Sequence, residues 1–129
     1  MTREQKRASL VYEKVKCYEQ KDEGNRKDYG SMALRFPALL RSAGLVQALA
    51  FVDARGKDAH KDFIRDLASV LTKLEGEAKT GEVAFKDYFA EARKAELPGY
   101  MRMTREALAV ADWFKRFAQS VLKVEPGED

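Results

Sequence analysis

In residues 58–74, DAHKDFIRDLASVLTKL, the apolar side chains Phe63, Ile64, Leu67, Val70, Leu71 and Leu74 recur at intervals of three and four. That period places them on one face of an α-helix, with Gly56 before it and Gly76 after it as breakers. The same stretch holds the only histidine, His60, inside the string Asp58-Ala-His60-Lys-Asp62. Side chains two apart on a helix point about 200° apart, so this string cannot converge on a metal. Asp62 and Asp66 do share a face, but two carboxylates fall short of the set a metal nuclease converges on a cation.

Working outward, every long segment repeats the helical period, and strict alternation occurs nowhere convincingly. The expected fold is all-α, one compact bundle of about five to six helices, with the domain over residues 1–124 and a frayed acidic tail over 125–129. Leu45, Val46, Leu49, Ala50, Phe51 and Val52 go nearly all round a helix, which predicts that residues 45–54 form the centre of the bundle. Thr2 and Gln5 have capping-box spacing and open a first helix expected to reach about Lys21. A second helix is expected from near Arg26, breaking or kinking around Phe36 because Pro37 lacks an amide proton, with Gly44 as its C-terminal cap. Beyond residue 74, a helix after Thr80 and Gly81 presents Phe85, Tyr88, Phe89 and Ala92. Pro98 then opens a last helix expected to reach about Lys123.

The 129 residues carry 24 Lys plus Arg against 21 Asp plus Glu, a net charge of only +3, so any nucleic-acid surface must come from local segregation of charge. On the first helix Arg3, Arg7, Lys14 and Lys21 fall on one flank beside the apolar arc of Ala8, Val11, Val15 and Tyr18. On the last helix Arg102, Arg105, Arg116 and Lys123 lie nearly opposite the apolar arc that runs from Tyr100 to Val121, and Lys115 adds to the local basic excess. Such stripes suit a phosphate backbone, and they equally suit a solvated face. Trp113 lies between the core arc and the stripe, placed either to cover the core edge or to anchor a protein or base contact.

Several classes are excluded or disfavoured. One histidine and no nucleophile elbow argue against a hydrolase, and there is no P-loop, GxGxxG or calcium loop. The expectation is a non-enzyme without cofactor or metal. The lone Cys17 cannot form an internal disulfide and reads as a packing residue. The longest nearly apolar stretch, Ala43 to Val52, is far short of the roughly 20 residues a spanning helix needs. No charged-then-apolar leader is present at the N-terminus, and the expected location is the cytoplasm.

The order of residues adds a resemblance. Tyr29-Gly30-Ser31, Leu34-Arg35-Phe36-Pro37, Gly44-Leu45-Val46-Gln47-Ala48-Leu49-Ala50-Phe51, Thr104-Arg105-Glu106-Ala107-Leu108 and Trp113-Phe114-Lys115-Arg116-Phe117-Ala118 resemble the small all-helical subunit of Cmr-type (type III-B) CRISPR effector complexes. The resemblance implies a non-catalytic subunit that stacks with copies of itself in a minor filament. Its partners would be the other subunits of the effector complex and the guide and target RNA, with no membrane. Arg105, Lys115 and Arg116 fall inside matching strings as RNA-contact candidates, while Arg3, Arg7, Lys14 and Arg102 rest on the helical wheel. Gln47 and Phe51 are expected in packing roles, and Glu106 is spaced to pair with Arg102. The alternative reading is a helical protein-interaction adaptor without RNA binding.

Overall fold

Phe63 meets three other buried rings edge-on: Tyr29 at 5.7 Å, Phe36 at 5.4 Å and Phe114 at 5.3 Å between centroids. Each such pair adds about 0.5–1.5 kcal/mol beyond the burial itself, so this cluster is the natural centre of the core. In the computed structural model, which describes residues 1–127, the elements in chain order are α1 (Arg3–Tyr18), α2 (Glu23–Ala43), α3 (Leu45–Ala54), α4 (Asp58–Leu74), α5 (Gly81–Lys94) and α6 (Leu97–Ser120). The described residues contain no strand. All six helices feed one apolar cluster, and none is long and apolar enough to cross a membrane.

The central helix is α4, not α3. Helix α4 buries His60, Phe63, Ile64, Leu67, Val70, Leu71 and Leu74 along its length and packs on every other helix. Helix α3 buries only Leu45, Ala48, Leu49 and Val52, while Gln47, Ala50, Phe51 and Ala54 face outward. Being apolar all round therefore did not bring α3 to the middle, and the packing roles expected of Gln47 and Phe51 are corrected: Phe51 is 48% exposed. A ten-residue helix between two glycine-marked turns packs against α2, α4 and α5, which leaves its far side uncovered.

Three boundaries differ from expectation. Helix α1 ends at Tyr18, and residues 20 and 21 close it with tight bonds to Cys17 and Tyr18 carbonyls. Helix α2 starts at Glu23 because Asp22 caps it, its carboxylate accepting the Asn25 amide at 3.1 Å. It also runs straight through Pro37: the lost amide costs one hydrogen bond, but Phe36, Pro37 and Leu40 are all buried and hold the helix on both sides of the defect. Helix α6 stops at Ser120, short of Lys123.

Other local signals hold as read. The Thr2–Gln5 capping box is present in both directions, and Pro98 sits in the first turn of α6. Gly44, at φ +88°, is both the end of α2 and the start of α3, and the amide of Val46 donates to the Tyr100 hydroxyl at 3.0 Å in place of a side-chain cap.

After α6 the chain turns back, with Lys123 at φ 61°, and seats Val124 on α2 at Gly30. A Cβ at Gly30 would lie 2.4 Å from Val124 Cγ2, so only glycine leaves room for this strap. Of the tail expected to fray, Glu125, Pro126 and Gly127 are exposed, and residues 128 and 129 lie outside the described residues.

Candidate nucleic-acid interface

The two basic stripes read from the sequence meet very different fates. On α1, Arg7 makes a two-pronged bond to Glu106 of α6, Nε to Oε1 at 2.9 Å and Nη2 to Oε2 at 2.6 Å, and its third arm reaches Glu4 at 2.8 Å. Arg3 bonds the Leu74 carbonyl and pairs with Glu75 at 3.3 Å and Glu106 at 3.4 Å. These guanidinium groups therefore tie α1 to α4 and α6. Arg7 holds the Glu106 carboxyl below the usual glutamate range, chiefly through its hydrogen bonds, and Glu106 in turn raises Arg7. Glu106 thus pairs across the helix interface and not with Arg102.

Lys14 is half-buried and lies electrostatically against Asp66 of α4. That carboxyl accepts the Tyr29 hydroxyl at 2.7 Å, and the neighbouring Asp62 accepts the Tyr18 hydroxyl at 3.0 Å. The two tyrosine rings stack at 4.0 Å. Burial pushes Asp66 up to about 6, against the lowering effects of Tyr29 and Lys14. The same burial holds His60 below the usual histidine range, with Nδ1 lacking a partner. The acids that share a face of α4 thus anchor tyrosines, and among the described residues no group of three or more possible ligands is placed to hold a metal.

On α6 the outcome is opposite. Arg102, Arg105, Lys115 and Arg116 are all exposed, and no carboxylate among the described residues pairs with any of them. At 100° per residue Arg102, Arg105 and Arg116 fall within about 60° of one another, with the small Ala109 between them, while Lys115 sits toward the α2 side. From Arg102 to Arg116 the ridge runs about 21 Å at 1.5 Å per residue.

Arg116 is positioned by Trp113, its guanidinium lying 4.7 Å over the indole. Trp113 is itself half-buried: its N–H donates to Glu4 and its ring stacks on Phe117 at 5.4 Å. Glu4 is lowered below the usual range first by that bond, then by Arg7. Beside the N-terminal half of the ridge, a groove of about 1160 Å³ opens between α5 and α6 over the end of α4. Arg102 and Arg105 line its α6 wall, Asp87 and Glu91 its α5 wall, and the Tyr88 hydroxyl is buried there without a partner.

Sequence reading missed Glu4 and Glu75 as neutralising partners, and it missed Tyr88. Only Asp62 and Asp66 carried a usable signal, their four-residue spacing on one face of α4. The ridge geometry is an all-helical scaffold carrying a row of unpaired guanidinium groups, and comparison with known proteins says what kind of scaffold it is. Residues 3–121 match the family model described as CRISPR-associated protein (Cas_Cmr5).

The chain belongs to the Cmr5 family.

A curated Cmr5 relative, the CRISPR system Cmr subunit Cmr5 of Thermus thermophilus, is 50% identical over 122 residues, covering 95% of this chain and 97% of that protein. The crystal structure of a CRISPR-associated Cmr5 family protein from the same organism superposes with a TM-score of 0.81 at 48% identity, covering 94% of this chain and 97% of that one. The resemblance read from the five strings above is thereby shown to be family membership, and the all-helical fold is that of a solved Cmr5 relative.

Proposed function

We propose that this chain is the Cmr5 subunit of a type III-B CRISPR effector complex. In this reading it is a non-catalytic cytoplasmic component whose copies stack beside the other subunits and touch guide and target RNA through the outward ridge of α6. The observation that carries the RNA part is that Arg102, Arg105, Lys115 and Arg116 have no carboxylate partner among the described residues, whereas Arg3 and Arg7 are neutralised within the fold. A planar guanidinium presents two parallel donors to a phosphate, and Ala109 leaves room for a backbone to approach between the arginines. Such contacts position RNA without reading its sequence.

Arg3, Arg7 and Lys14 keep a structural task in this reading. Trp113 seats Arg116 on the ridge in place of the protein-anchoring role considered for it. A few phosphate contacts give an isolated subunit a dissociation constant on the order of 10⁻⁴ to 10⁻⁶ M. Repetition along a stack of copies raises the effective affinity without new contacts. The test is to assemble the complex with Arg105→Glu/Arg116→Glu subunits. RNA retention should fall while the subunit's melting is unchanged, and equal retention at several salt concentrations would reject the ridge.

A further inference from the structure

Helix α3 has two apolar seams. Leu45, Ala48, Leu49 and Val52 enter the core, and Gln47, Ala50, Phe51 and Ala54, spaced at three and four residues, form a second seam that no part of the fold covers. Phe51 is 48% exposed, flanked by two alanines that permit close approach, and Arg55 lies 5.6 Å over its ring without a carboxylate partner among the described residues. On a separate side of α4, helix α1 offers the second large exposed ring, Tyr12, 42% exposed and braced edge-on against Phe117 at 5.3 Å. Beside it Glu13 is exposed and has no cation partner among the described residues.

Helix α1 packs on α4 and α6, and α3 on α2, α4 and α5, so the two rings belong to different faces of the bundle. We infer that the α3 seam of one copy docks on the α1 face of the next, Phe51 against Tyr12 and Arg55 against Glu13, which makes the contact head-to-tail. This rests on the stacking of copies proposed above and says which surfaces meet. The charges favour this pairing over a two-fold one, which would bring two copies of Arg55 toward one α3–α3 contact with no acid between them. A contact between unlike faces does not close on itself and therefore propagates into a filament.

The experiment uses the purified full chain in sedimentation velocity across a concentration series, with Phe51→Asp, Tyr12→Asp, and an equimolar mixture of the two. Both positions are exposed, so melting should match the parent chain, and each variant alone should weaken association by about tenfold or more. The mixture should recover one good contact per pair and stop at 1:1 dimers. Arg55→Glu should weaken association, and Arg55→Glu/Glu13→Arg in one chain should restore it. Variants that associate as well as the parent would overturn these surfaces while leaving stacking in place. Variants that block association but fail to pair when mixed would overturn the head-to-tail arrangement. A parent chain that stays monomeric in solution and has separated copies in the assembled complex would overturn the stacking reading itself.

Discussion

Helices α1 and α6 each display a row of basic residues on the helical wheel, and the two rows do opposite work. The α1 arginines are spent on Glu4, Glu75 and Glu106, whereas the α6 row meets no acid among the described residues. A wheel compares a residue only with its own helix. Whether a cation is available to a ligand is decided by acids on neighbouring helices, here 72 residues away for Arg3–Glu75 and 99 for Arg7–Glu106. Local charge counts therefore overstate an RNA surface on α1.

The comparison can be broken most forcefully at Arg7. Arg7→Ala leaves the half-buried Glu106 without its two-pronged partner and should cost about 1.5–3 kcal/mol in denaturant unfolding. If the variant unfolds at the parent midpoint, the α1 pairs do not hold the bundle. The stability that Glu106 contributes is present above the usual glutamate range, because its folded pKa is depressed, and is lost as pH falls through that lower value.

Asp66 gives the next largest effect, with the opposite sign. Its folded pKa is raised to about 6, so its contribution is fully present below the unfolded value near 4 and is lost as pH rises through 6. Asp66→Asn keeps an acceptor for Tyr29 and should raise stability at pH 7.5 by about 1–2 kcal/mol, with the gain vanishing near pH 4. A pH-independent difference in melting between the two chains would contradict this.

Glu4 sharpens the comparison where α1 touches the ridge. Trp113 is the only tryptophan, so its emission reports the indole bond to Glu4. Glu4→Gln should shift that emission while costing only about 0.5 kcal/mol, since the pair is largely exposed. In the parent chain the same shift should appear only at a pH below the usual glutamate range. Smallest of all, Arg105→Glu/Arg116→Glu should change thermal melting by no more than about 0.5 kcal/mol, as exposed substitutions without partners do.

Much of the fold was legible in the sequence, because periodicity, caps and glycines act locally. The apolar face of α4, the core arc of α6, Pro98, Gly44 and the Thr2–Gln5 box all appear where residue spacing puts them. What failed needed tertiary knowledge. Residues 45–54 are apolar all round, and period alone cannot say whether the second apolar side meets the chain's own core or a partner. Pro37 was expected to break α2, and burial on both sides overrode the missing bond.

Gly30 shows the same limit from another direction. It stood out only as part of the string Tyr29-Gly30-Ser31, and its reason, a seat for Val124 from the far end of the chain, exists only in three dimensions. The outward direction of Arg102, Arg105 and Arg116 was readable from the wheel. That they lack partners, while Arg3 and Arg7 have them, was not.

The most direct measurement is RNA retention by the assembled complex as a function of salt, comparing Arg105→Glu/Arg116→Glu with Arg3→Gln. If the α6 ridge neutralises phosphates and α1 does not, the α6 variant loses RNA and its retention falls less steeply with salt, because fewer counterions are released, while Arg3→Gln follows the parent curve. A steeper loss for Arg3→Gln, or identical curves for all three, would contradict the division of labour between the two helices.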